Sequence, residues 1–320
     1  TGEVQITGAN VAVTDVNGIV LGESTVWGTY GITAGGVITN NGALDITGIT
    51  TMTGTDITLD HASNDFKNAV RVTTTGSDVV LTDLGAIDLG ASTVTGTYTV
   101  NAGGTVTDSG TLTITGATTI NASNHNVELN EAASNFGGAV SITGENVAVT
   151  DANTIELGTS TVTGTYAVTA TAGNITNSGV LTITGAATFT AANGQSIYLD
   201  GANTFSNTVT FGSGGTLASV TISDSNDFAL AALTLSGNLI ATSTGGSITD
   251  SGALQISGTS SFTTSASNED ITLDVTTNEY TGAVTLSTTG STGHAEVDGG
   301  TTQLDIAAST VGRNLTLTSG

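Results

Sequence analysis

The phrase Gly90-Ala91-Ser92-Thr93-Val94-Thr95-Gly96-Thr97-Tyr98 decides how this chain folds, because it recurs. It stands at Gly22-Glu23-Ser24-Thr25-Val26-Trp27-Gly28-Thr29-Tyr30 and at Gly158-Thr159-Ser160-Thr161-Val162-Thr163-Gly164-Thr165-Tyr166, at two equal steps along the chain. A fixed period of this kind marks stacked units, each burying its apolar face against its neighbours. The spacing puts Gly96 at a turn and Val94 inward. Leu239 replaces the tyrosine in a later copy, so the position asks for bulk. Trp27 stands where Thr95 and Thr163 stand, which points it outward.

Working outward, the repeats run over about 4–68, 69–138, 139–207 and 208–282, with a partial fifth at 283–320. Each is a series of short runs such as Val11-Ala12-Val13-Thr14-Asp15 and Leu112-Thr113-Ile114-Thr115-Gly116. Apolar and small polar residues alternate with period two, and each run ends in Gly, Asn, Asp or Ser. No stretch of ten or more residues carries a helical period. Eight or nine short strands per repeat, three to a coil, predict about 23 residues per coil and about three coils per repeat. The expected fold is all-β: one continuous right-handed parallel β-helix (β-solenoid) over 1–320. An array of antiparallel sandwiches fits less well, since the strands are short and the repeats have no linkers.

Composition agrees. Hydrophobic residues are 37%, enough for a core, and Gly contributes 44 residues while Pro contributes none. Net charge is -24, and Lys67, Arg71 and Arg313 are the only fixed cations. Such a surface repels phosphate, which argues against nucleic acid and anionic membranes as partners. It suits salty water, where the Debye length shrinks to a few ångström. The absence of Cys excludes disulfides and thiolate metal sites. No apolar run approaches the length a membrane-spanning helix needs, so no helix inserts into a membrane. The chain reads as a segment of something longer.

Three sets of repeat mates could carry chemistry: Asp15, Asp83, Asp151 and Asp224; Asp60, Asn130, Asp200 and Asp274; and Asn40, Asp108, Asn177 and Asp250. Asx residues at turns bond their own backbone. Calcium is the other reading, since Ca²⁺ gathers six to eight oxygens. Mates three coils apart would stand about 14 Å apart, too far to share an ion. Phe66, Phe136, Phe205 and Tyr280 read as an interior aromatic column or, more sharply, as a sugar-binding face. His61, His125 and His294 do not recur in register, and no catalytic triad can be proposed. A polysaccharide lyase or glycosidase needs paired acids or cations on an open face, and cations are scarce. Thr-x-Thr pairs suggest ice binding, but that needs a pair in every coil. The expectation is therefore no catalysis, no cofactor and no bound metal, with calcium left open.

The strings Asn135-Phe136-Gly137-Gly138-Ala139-Val140-Ser141-Ile142, Ile248-Thr249-Asp250-Ser251-Gly252 and Leu181-Thr182-Ile183-Thr184-Gly185-Ala186-Ala187-Thr188-Phe189 resemble repeats of filamentous-haemagglutinin-like large exoproteins. The resemblance covers nearly the whole chain. It implies a right-handed β-helical stalk, exported to a bacterial cell surface and used in adhesion. Host or neighbouring cell surfaces or glycans would then be met by regions outside this segment. The family's secretion domain has no counterpart among these residues. A filament, sheath or S-layer component joined by head-to-tail self-association is the alternative.

Overall fold

The computed structural model describes residues 2–320, and every described element is a β-strand, a turn or an irregular link. The chain forms two compact units, the first ending at Ile155 and the second running Glu156–Gly320. Both are parallel β-solenoids. The fold class expected from the sequence is therefore observed.

In the first unit a coil has two faces, each made by one long strand such as Thr50–Gly54 or by two short ones such as Ile38–Asn40 and Leu44–Ile46. Each strand pairs in parallel with its counterpart one coil away. Val11, Tyr30, Thr50 and Val70 form one ladder, at nearly even steps. Val79, Tyr98, Thr118 and Val140 form another, stepped in the same way. These ladders make a coil of about 20 residues, shorter than the roughly 23 expected. From the strand ending at Val26 to the strand ending at Val94 there are ten strand-to-strand steps, not eight or nine. One coil, Val70–Thr74 with Val79–Asp83, holds only two long strands, so these ten strands make three coils and a half, and Val11 and Val147, two repeats apart, stand seven coils apart on one sheet.

That half coil has a consequence for every repeated residue. Tyr30 and Tyr98 are repeat mates, yet they stand in different ladders. Val79–Asp83 pairs with Ile57–Leu59, on another side of the coil from Val70–Thr74. The second unit behaves alike: Tyr166, Ala187 and Val209 form one ladder, and Val220, Leu239, Ser260 and Val284 another. The expectation that repeat mates stack in single columns is corrected. Mates one repeat apart lie on opposite sheets, and mates two repeats apart share one.

Inside, the alternation does what period two requires. Val26, Ile46, Leu59, Val72, Val94, Val100 and Ile114 are at most 1% exposed, and Thr, Ser and acidic residues alternate outward. Each Val, Leu or Ile taken out of water contributes on the order of 1.5–3 kcal/mol. Where coils turn, glycines stack. A Cβ on Gly116 would meet the Gly96 carbonyl oxygen at 2.4 Å, and one on Gly138 would meet the Gly116 carbonyl carbon at 2.6 Å. Only glycine lets backbone lie on backbone there. Gly96 is the turn residue its spacing implied.

Candidate functional site

The first Asx set does its work at the change of side. A long strand such as Val79–Asp83 follows two short strands of the coil before, Ile57–Leu59 and Asp65–Phe66. Its ladder matches only the first of them, which leaves the Phe66 N–H without a carbonyl. Asp83 fills the gap: Phe66 N–H donates to Oδ2 and Gly85 N–H to Oδ1, both at 2.7 Å. Asp151 repeats this with Phe136 N–H at 2.8 Å and Asn153 N–H at 2.6 Å. Asp224 accepts from Phe205 N–H at 3.1 Å and Asn226 N–H at 3.2 Å. Asp15 has only the local bond, from Asn17 N–H at 2.8 Å. Burial is the larger influence on all three deep carboxyls and raises their pKa, to about 6 for Asp224, against the pull of the N–H donors.

The phrase itself contains the opposite joint, where one long strand is followed by two short ones. Ser92 turns inward between Ile87–Leu89 and Val94, accepts the Val72 N–H at 3.1 Å and donates to the Gly90 carbonyl at 2.8 Å. Ser24 does the same between Ile6 N–H and the Gly22 carbonyl, at 3.2 and 2.9 Å. Ser309 takes this part near the end of the second unit, for Leu286 N–H at 3.0 Å. The phrase's tyrosines are buried, and the hydroxyls of Tyr30, Tyr98 and Tyr166 have no hydrogen-bond partner. Burial pushes Tyr30 up to about 12, and moves Tyr98 and Tyr166 in the same direction.

The third Asx set meets a group that the sequence reading did not single out. Asn64, Ser134, Asn203 and Asn278 are fully buried, each two residues before an aromatic. Asn64 Oδ1 accepts from Leu44 N–H at 3.0 Å and from Asn40 Nδ2 at 2.7 Å, while its own Nδ2 donates to the Leu59 carbonyl at 3.2 Å. Asn203 does likewise with Leu181 N–H and Asn177, whereas Asn278 accepts from Leu254 N–H and donates from Nδ2 to Asp250 Oδ2. Asp108 accepts the Asn130 and Glu131 N–H groups, at 2.9 and 3.2 Å. Burial raises the pKa of Asp108 and Asp250. Asp60, Asn130 and Asp274 are exposed beside turns, and Asp200 is exposed within the strand Ile197–Phe205. The signal that could have found Asn64 is parity: with Phe66 inward, period two puts Asn64 inward too.

Among the described residues no three His, Cys, Asp or Glu side chains gather to hold a metal. His61, His125 and His294 lie on separate coils, and His61 Nδ1 accepts only Ser63 N–H. Phe66, Phe136, Phe205 and Tyr280 are about 1% exposed, which overturns the sugar-face reading. In the second unit Phe189 packs between Tyr166, Phe205 and Phe211, with ring centroids 5.9, 6.0 and 6.2 Å away. Trp27 is 61% exposed, as its position implied. Lys67 bridges Asp45 and Asp65 on the surface. Thr14, Thr33, Thr53, Thr73, Thr93 and Thr113 make an unbroken outward ladder. The neighbouring row is Ala12, Gly31, Thr51 and Arg71, so paired threonines do not continue from coil to coil.

A solenoid built of sequence repeats, with its recurring polar groups committed to coil-to-coil bonds, defines the class: a β-solenoid repeat protein. The chain belongs to the family described as repeats of unknown function (DUF5649), matched over residues 8–73, 76–143, 144–212 and 217–287. No curated protein and no solved structure matches it. The family's boundaries follow the four complete repeats read from the sequence, set a few residues later.

Proposed function

We propose that this chain is a structural stalk segment of a secreted bacterial surface adhesin, with no catalytic role. The observation that carries the reading is how the repeated polar side chains are used. Asp83, Asp151 and Asp224, Asn64, Asn203 and Asn278, and Ser24 and Ser92 all bond backbone groups of a neighbouring coil. A ligand site would hold such groups free and convergent. The outward surface is short hydroxyl side chains and acids, which keeps a stacked structure soluble and apart from its neighbours. Coil-by-coil pairing also suits a chain that folds as it emerges from a secretion pore, since each coil needs only the one before it.

Antibody raised to this chain and applied to intact cells of the source organism tests the reading. Labelling at the cell surface, displaced from the envelope, supports it. Labelling only after lysis refutes it. Long fibres forming with concentration from the purified chain would favour a self-assembling filament or sheath.

A further inference from the structure

The two long ladders of the first unit carry the same series, Val-Tyr-Thr-Val, on two different sides: Val11, Tyr30, Thr50, Val70 and then Val79, Tyr98, Thr118, Val140. We propose that the repeat is an angular index. Each added or removed repeat turns all that follows by half a turn, and two repeats restore the facing, as Val11 and Val147 on one sheet show. At three and a half coils, each step also advances about 17 Å.

Two side-chain joints make the turn. On one side, two short strands give way to one long strand, and the Asp83 carboxylate completes the Phe66 N–H that the long strand misses. On the next, one long strand gives way to two short ones, and the Ser92 hydroxyl completes the Val72 N–H at the break. The long strands thus pass to the opposite face. Without the two joints, each turn would leave a buried N–H unpaired in every repeat, a cost that folded chains avoid. Outward groups follow the same rule. Thr25 stands in a ladder with Thr7, Asp45 and Asp65, while its mate Thr93 stands with Thr73, Thr113 and Asn135. A feature fixed in the repeat is therefore shown alternately to two opposite faces. Repeat number sets the facing of any attached region as well as its distance. This holds whether or not the chain is an adhesin stalk.

The chain has no cysteine, so engineered disulfides report facing cleanly. In the full chain, Val80→Cys with Thr99→Cys is expected to cross-link in high yield, because these residues are ladder partners. Arg71→Cys with Thr99→Cys, the pair adjacent in a solenoid whose repeats stack without turning, is expected to stay reduced. Cross-linking of the second pair in place of the first overturns the proposal. A second arm uses length. Deleting Gly22–Leu89 joins Leu21 to Gly90 and keeps both joints, so the shortened chain is expected to fold and to cross-link Thr7→Cys with Thr93→Cys. Deleting Ile19–Asp78 removes three whole coils along one ladder and breaks the joints, and is expected to melt well below the first deletion. The reverse order of stability overturns the proposal. Should neither shortened chain fold, the two full-chain pairs still decide the facing.

Discussion

Asp83→Ala separates a structural carboxylate from an ornamental one. The residue is 2% exposed, and its two oxygens take the Phe66 and Gly85 N–H groups at 2.7 Å each. Removing it leaves Phe66 N–H buried in a place where no backbone carbonyl answers it, at about 1–3 kcal/mol. Loss of the turn bond to Gly85 adds roughly 1 kcal/mol, for about 2–4 kcal/mol in all. A solenoid opens locally, so the effect is read best at the amide itself. Hydrogen exchange at Phe66 is expected to quicken by about 30- to 1,000-fold, at about 1.4 kcal/mol per tenfold, with distant coils unchanged. Asp15→Ala is the internal control, because Asp15 holds only the local Asn17 N–H. Its expected cost is about 1 kcal/mol or less. Equal effects from the two substitutions, or an unchanged Phe66 amide in Asp83→Ala, would refute the reasoning.

Stability is expected to fall as pH rises from about 4 to about 7, the reverse of ordinary acid unfolding. Burial raises Asp83, Asp151 and Asp224 in the folded chain, Asp224 to about 6, so the folded state holds the extra protons between the unfolded and folded pKa values. The slope of unfolding free energy with pH is then negative. Melting temperatures across that range check it, and Asp224→Asn should flatten the slope. Tyr98→Phe removes a buried hydroxyl that has no partner, so denaturant unfolding should show no loss and up to about 1 kcal/mol of gain. Gly116→Ala drives a Cβ to 2.4 Å from the Gly96 carbonyl oxygen, and should cost about 2 kcal/mol or more by the same measurement. Lys67→Ala breaks an exposed ion pair with Asp45 and should leave the melting temperature unchanged.

The fold class is legible because alternation and turn residues say strand and stop without reference to distant contacts. Val94, Gly96 and Trp27 sit where that alternation puts them. The turn between repeats is not legible, for a physical reason. The period states when the chain repeats itself but not how many strands close one coil. The strands that decide the count are short: Asp65–Phe66 has two residues, too few to show a period. The joints are half visible. Asp83 reads as a turn residue, which is true of its Gly85 bond, but its bond to Phe66 in the preceding coil emerges only once the ladders are known. Ser92 and Asn64 occupy inward parity in otherwise apolar runs, and such misplaced polar residues are what the sequence offers as a sign of a break in pairing.

The central claim is that the recurring acids hold coils together and do not hold ions. Melting of the chain in matched millimolar Ca²⁺ and Mg²⁺ tests it, alongside Asp83→Asn and Asp151→Asn. A surface of net charge -24 responds to divalent cations through screening, which does not distinguish the two metals. The account predicts equal shifts for both cations, unchanged in either variant. A larger shift with Ca²⁺ that disappears in Asp83→Asn or Asp151→Asn would contradict it.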